Sequence, residues 1–293
     1  MPRKVLLATD LSARCDRALD RAAALASEWQ AELVAVHALE QDESFYTEGF
    51  EDQLPSWRRS ADPARIAEAQ LRRDMADRVE DVTVVVEKGN AADLVARVAE
   101  AEGCDIVVTG IARDETLGRF GLGNTVDRLL RRLKTPILIV RQRVRTAYGH
   151  IVVASDFSEG ARLALQKAVE FFPDRRLTVF HAFETPLQGM TLDEEAYREH
   201  HREHAVERCR AFLAEARIPD SVRKKVAIVV EHGRPDHLVH LYARDADIDL
   251  VALGSHGGSP LLDVIFGSTA KAILMSLPCD ALVVRHPGGR AED

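Results

Sequence analysis

Short apolar runs alternate along this chain with stretches of helical periodicity. Val5–Ala8, Leu33–His37, Val82–Glu87, Ile106–Thr109 and Ile137–Val140 are almost continuously apolar or β-branched. They lack the in–out alternation of a half-solvated sheet, so they predict parallel strands covered on both faces. Between them, Cys15, Ala18, Leu19 and Ala22, and later Val126, Leu129, Leu130 and Leu133, fall at i, i+3, i+4, i+7. Further on, Ala161, Ala164, Leu165 and Ala168, and then Ala270, Ile273, Leu274 and Leu277, repeat that spacing. Such stripes mark helices with one buried face. The strand–helix alternation predicts doubly wound α/β sandwiches with parallel sheets. Two polar segments, Gln41–Arg65 and Thr185–Leu192, interrupt the pattern before long helices expected over roughly Ala67–Glu80 and Asp193–Ala216.

The pattern is written twice. Ala8-Thr9-Asp10-Leu11-Ser12 recurs as Ala154-Ser155-Asp156-Phe157-Ser158, an offset of 146. After a two-residue slip the offset is 144, and it aligns Leu33–Glu40 with Leu177–Glu184, His37 on His181. Glu87-Lys88-Gly89 then matches Glu231-His232-Gly233, and Asp105–Gly110 matches Asp249–Gly254. Duplication of this kind predicts two domains, 1–143 and 148–287, joined near Val144–Tyr148.

Composition narrows the partners. With 39 Lys and Arg against 47 Asp and Glu, the formal net charge is −8, which argues against a sequence-independent nucleic-acid binder. The small basic cluster Arg128, Arg131, Arg132, Lys134 reads as a solvated helix face. No apolar run approaches the length of a membrane span, and the N-terminus has no signal-peptide core. Cys15, Cys104, Cys209 and Cys279 form no CxxC pair and sit in apolar patterns, as reduced core thiols do. A soluble cytoplasmic protein, with neither nucleic acid nor membrane as partner, is expected.

The chemistry concentrates after the fourth strand of the second half. Residues 253–269 place Gly254, Gly257 and Gly267-Ser268-Thr269 between a strand and a helix, with His256 inside the loop. A glycine-rich loop feeding a helix start holds phosphate through backbone N–H groups and the positive end of the helix dipole. The spacing is neither that of a P-loop nor that of a GxGxxG dinucleotide motif.

That spacing, G-x2-G-x9-G-[ST], resembles the nucleotide-binding signature of universal stress proteins, and the flanking LGSHG and FGSTAKAILMSLPCDALVV are similar to that family's wording. The resemblance covers both halves outside the loops near 41–65 and 185–192. It implies two tandem five-stranded sandwiches of the adenine nucleotide alpha hydrolase-like type, paired through Ile137–Val140 and Ala281–Val284 as an internal pseudo-dimer. It also implies a stress-response module that binds ATP or ADP, with or without Mg, and a homodimer with further protein partners. Ala154, Ser155, Asp156 and the backbone at Ala182 would receive adenine. Leu253, Gly254, His256 and Gly257 would shape the ribose and phosphate pocket, and Gly267, Ser268 and Thr269 would bind phosphate. Read without the family, Asp156-Phe157-Ser158 is also a helix N-cap pattern, and Gly267-Ser268 a loop and a helix start.

In the first half the counterparts are Asp10, Ala38, Gly110, Arg113, Gly123, Asn124 and Thr125, with Arg113 where the second glycine stands. A side chain of that size crowds a cradle built for backbone, which predicts a lost site. The counter-reading is that Arg113 supplies a charge for phosphate.

No GxSxG elbow, Walker motif or positioned acid–base pair is present, so binding with little turnover is expected. The family resemblance leaves weak hydrolysis or autophosphorylation as an alternative, and a nucleotide-independent scaffold or a small-molecule or lipid carrier is another. His200 and His204 lie at i, i+4 on a helix, a feasible zinc pair beside Glu203. Taking Cys209, Phe212, Leu213 and Ala216 as the buried stripe turns both histidines to solvent, so a zinc site is not expected.

Overall fold

The first apolar run becomes the middle of a sheet. The computed structural model describes residues 2–13, 15–39, 62–79, 81–111, 113–114, 119–120, 123–185, 194–255 and 267–285, with no side-chain description at 113–114, 119–120 and 194. Most of the two polar segments, His256 and Gly257, and the side chain of Arg113 therefore lie outside the described residues. The chain divides into two units, Met1–Arg145 and Thr146–Asp293.

The first unit runs β1 (Lys4–Ala8), α1 (Asp16–Trp29), β2 (Glu32–Leu39), α2 (Pro63–Met75), β3 (Val82–Lys88), α3 (Ala91–Ala101) and β4 (Ile106–Gly110). The pair β5 (Arg113–Asp114) and β6 (Arg119–Phe120), α4 (Asn124–Arg132) and β7 (Ile137–Val140) complete it. Its sheet is parallel in the order β7-β4-β1-β2-β3. Successive strand residues point to opposite faces, and in β4 and β7 every residue is buried, so helices cover both faces.

The second unit repeats the design with β8 (His150–Ala154), α5 (Glu159–Phe171), β9 (Arg176–Phe183), α6 (Glu194–Glu215), α7 (Asp220–Arg223) and β10 (Ala227–His232). It closes with α8 (Pro235–Asp245), β11 (Leu250–Gly254), α9 (Ser268–Ser276) and β12 (Asp280–Val284). Its sheet is again parallel, in the order β10-β9-β8-β11-β12. In each unit the chain builds outward from its first strand, then jumps back across it. The reversal falls between β1 and β4, and between β8 and β11, and such a switch point opens a crevice at the carboxyl ends of the strands.

Local chemistry sets the element boundaries. The helix expected from Ala67 begins at Pro63, because Asp62 caps it by accepting from the Ala64 amide (3.0 Å) and proline suits the first turn. It stops at Met75, short of the expected Glu80. Asn90 caps α3 in the same way. Gly89 (φ 143°) and Gly233 (φ 136°) make the matching turns after β3 and β10, at angles L side chains rarely adopt. At the amino ends of the central strands, Asp105 accepts from the Arg3 and Lys4 amides (2.7 and 3.0 Å), and Asp249 accepts from those of Gly149 and His150 (2.8 and 2.9 Å). The linker is anchored onto the second unit, where the buried Tyr148 hydroxyl donates to the buried Asp280 carboxylate at 2.7 Å.

Candidate functional site

The crevice of the second unit starts from the turn after β8. The Ser155 amide donates to the Phe180 carbonyl (2.9 Å), which ties the turn to β9. Ser155 Oγ accepts from the Phe157 amide (3.0 Å), and Asp156 Oδ1 from the Ser158 amide (3.0 Å). Ser158 Oγ then accepts from the Ala161 amide (3.2 Å) as the N-cap of α5. The helix cap is thus Ser158. Asp156 braces the turn before it and stays exposed at the mouth of the crevice.

Across the switch point, Leu253 lies in register with Ala154. Ala182 is half-buried near the end of β9 and in register with Glu231. Ser255, buried, donates its amide to the Val284 carbonyl (2.9 Å), and its own carbonyl accepts from the Gly267 amide (2.9 Å). That bond draws the start of α9 to the end of β11. Ser268 and Thr269 are exposed in the first turn of α9, whose Gly267 cap offers no side-chain acceptor. Amides in such a turn carry the positive end of the helix dipole.

Gly254 differs from its sequence reading. A Cβ there would lie 2.7 Å from both the Gly160 carbonyl oxygen and the Ala161 amide nitrogen, pressing on the backbone of α5. The missing side chain lets a helix approach the strand, where the sequence suggested the approach of a ligand.

The first unit repeats the turn almost bond for bond. Thr9 donates to the Val36 carbonyl (3.1 Å), Thr9 Oγ1 accepts from the Leu11 amide (3.1 Å), and Asp10 Oδ1 accepts from the Ser12 amide and hydroxyl (2.9 and 2.6 Å). Burial alone would raise the Asp10 pKa, but hydrogen bonds from Ser12 and Cys15 and from its own amide together outweigh it and hold the carboxyl below its ordinary value. Leu11 and Phe157 share a left-handed backbone, φ 60° and 67°. His37 and His181 each reach back through Nδ1 to the carbonyl of Thr9 or Ser155, at 3.0 and 2.8 Å. Ala38 pairs with Glu87 as Ala182 does with Glu231.

The two units part at the other end of the crevice. Gly110 is buried and pairs with Val140, while Arg113 faces Phe120 across the short β5–β6 ladder. Gly123 again begins a helix without a side-chain cap, and Asn124 and Thr125 are exposed. The first turn of α4 then carries Asp127, whereas α9 carries Lys271 at the equivalent position. This charge reversal is a feature the glycine spacing does not reveal, and extending the 144-residue offset into the helix finds it.

The model of the universal stress protein family matches residues 1–141 and again 147–285. The chain belongs to the universal stress protein family. A curated universal stress protein from Synechocystis is 28% identical over 153 residues, 47% of this chain and 99% of that one. Among solved structures, one from Pseudomonas aeruginosa aligns with a TM-score of 0.67 at 21% identity, over 97% of this chain and 93% of that chain. A universal stress protein from Archaeoglobus fulgidus aligns at 0.65 and 17% identity, over 97% and 98%. Both span the two units, so this is a tandem universal stress protein built from doubly wound α/β sandwiches.

The other candidate residues of this universal stress protein are its histidine pair and its cysteines. His200 and His204 are exposed on α6, opposite the buried Cys209, Phe212, Leu213 and Ala216. Among the described residues, no group of three or more His, Cys, Asp or Glu side chains is placed to hold a metal ion. Cys104, Cys209 and Cys279 are buried free thiols, whereas Cys15 is half-buried and caps α1 instead of lying inside it. Burial pushes the Cys15, Cys104 and Cys209 thiols up to about 11, away from nucleophilic use near neutral pH. Among the described residues, no helix is long and apolar enough to cross a membrane.

Proposed function

We propose that the second unit of this universal stress protein binds an adenine nucleotide, ATP or ADP, as a cytoplasmic regulatory or scaffold module with little turnover. The observation that carries the reading is the Ser255–Gly267 junction. It presents an uncapped helix start, with Ser268, Thr269 and Lys271 in its first turn, next to the turn that carries Asp156. Backbone amides, hydroxyls and a helix N-terminus together suit an anionic chain, and Asp156 can accept from an exocyclic amine of a base. In this reading Ala154, Ser155, Asp156 and Ala182 line the base end. His256 and Gly257 border the ribose and phosphates, Gly267, Ser268 and Thr269 bind phosphate, and Leu253 and Gly254 hold the wall. Asp127 at the corresponding helix start supports the reading that the first unit does not take ATP. The pseudo-dimer pairing of Ile137–Val140 with Ala281–Val284, and association of two chains, belong to the same proposal.

Ligand that binds only the native state raises stability by mass action, about 2.7 kcal/mol at a hundredfold excess over Kd. Excess ATP should therefore raise the melting temperature of the full chain, with Mg and EDTA arms separating any role of the metal. Gly257→Arg, which copies Arg113, should abolish that gain. Stabilisation that survives Gly257→Arg would remove the site from this loop. No stabilisation of the wild type would favour the nucleotide-independent scaffold or carrier. Steady ADP production lost with Asp156→Ala would instead indicate an ATPase.

A further inference from the structure

The turn that carries Asp156 is also held from outside itself. Phe157 takes φ 67°, a conformation a bulky residue keeps only where its surroundings over-determine it. Its ring centroid lies 4.2 Å from that of His181, with the planes 34° apart. The guanidinium carbon of Arg208 sits 4.4 Å from the centre of the same ring, within cation–π range. Phe212 meets its edge at 6.0 Å. His181 bonds the Ser155 carbonyl at 2.8 Å, so the residues on either side of Asp156 are fixed, one through its backbone and one through its ring. Arg208 and Phe212 both belong to α6. In the first unit the matching left-handed residue is Leu11, which offers no ring for a cation or a stacked imidazole.

We propose that Phe157 and Arg208 are positioning residues of the second unit's nucleotide site, and that they make α6 the element whose order responds to nucleotide. This rests on the reading of Asp156 as part of the base end. The local turn bonds hold the left-handed backbone in both units, as Leu11 shows. Removing the Arg208 contact instead loosens the tie of the Phe157 ring to α6 and lets the turn, with the Ser158 amide that orients the Asp156 carboxylate, open more often. Coupling between two sites is reciprocal. If the clamp raises nucleotide affinity, nucleotide must tighten the clamp and the part of α6 around Arg208.

The test uses the full chain with Arg208→Met, Arg208→Lys and Phe157→Leu. Leucine is a conservative choice because the first unit already holds Leu11 at φ 60°. Without ligand, Arg208→Met and Phe157→Leu should speed hydrogen exchange at the Phe157 and Ser158 amides, while Leu11 and Ser12 serve as the unchanged internal control. With ATP as probe, both variants should weaken binding roughly fivefold to twentyfold, and Arg208→Lys, which keeps the cation, should stay within about twofold. ATP should also slow exchange around Arg208 in the wild type. Unchanged exchange at Phe157 and Ser158 with ATP binding intact overturns the positioning role alone, as does equal weakening by Arg208→Lys and Arg208→Met. Failure of the wild type to bind ATP overturns the nucleotide reading and this proposal with it.

Discussion

Gly254 illustrates how one residue type serves a different need from the one its motif suggests. Glycines in a loop of this spacing suggest a backbone open to phosphate, and for Gly257 that expectation stands as part of the proposal. At Gly254 the added Cβ would press on backbone atoms at Gly160 and Ala161, which cannot swing aside as a side chain could. Gly254→Ala should therefore destabilise the second unit by about 1–3 kcal/mol, the range for overpacking. A shift in the midpoint of chemical unfolding measures it, and an unchanged midpoint would show that α5 yields easily. The same residue marks a limit of sequence reading. The glycine spacing is visible along the chain, but which neighbour a missing Cβ admits depends on a helix that precedes it by almost a hundred residues. The contact of Arg208 with Phe157 was hidden for the same reason, whereas the Asp156–Ser158 turn was legible because its bonds are local.

At the level of elements, apolar runs and the internal offset carried most of the fold. The central strands lie close to where the runs place them, since a strand buried on both faces must be apolar throughout. Helix ends were less legible, because the apolar stripe of α2 begins inside the helix while its start is fixed by Asp62 and Pro63. The sharpest difference between equivalent elements is electrostatic. A charge in the first turn of a helix changes anion affinity by about 0.3–1 kcal/mol, so reversing one has up to twice that effect. Lys271→Asp should weaken ATP binding roughly threefold to thirtyfold, more at low salt than at high. Asp127→Lys in the other unit should leave ATP affinity unchanged if only the second unit binds. Calorimetric titration of both variants decides this, and a gain of affinity with Asp127→Lys, with Lys271→Asp leaving affinity unchanged, would move the site to the first unit.

The two units share a topology and a turn, yet they distribute their titratable groups differently, and in the second unit this gives a response to acid. Ten of the eleven histidines follow Tyr148. Two of them, His150 and His181, sit below their ordinary value of 6.5, chiefly because burial disfavours the imidazolium. Arg176 adds to that effect at His150 and Arg208 at His181, while backbone hydrogen bonds at Ala246 and Ser155, and then Asp249 and Asp156, oppose it without cancelling it. Each is also engaged while folded, His150 Nε2 with Thr178 Oγ1 at 2.9 Å and His181 with Ser155. Below pH 6.5 the unfolded chain takes up protons that the folded second unit resists, so its stability falls as pH drops from that value toward the depressed ones. In the first unit the depressed group is the Asp10 carboxyl, whose ordinary value is 3.8. Its contribution is present above that value and is lost only as pH falls through the still lower folded value. Between pH 7.5 and 5.5, then, global exchange protection should fall in β8 and β9. His150→Gln, which keeps a neutral hydrogen-bonding side chain, should flatten part of the second unit's pH dependence. Hydrogen exchange followed strand by strand across that range is the measurement, and undiminished protection of β8 and β9 down to pH 5.5 would refute the assignment of the effect to His150 and His181.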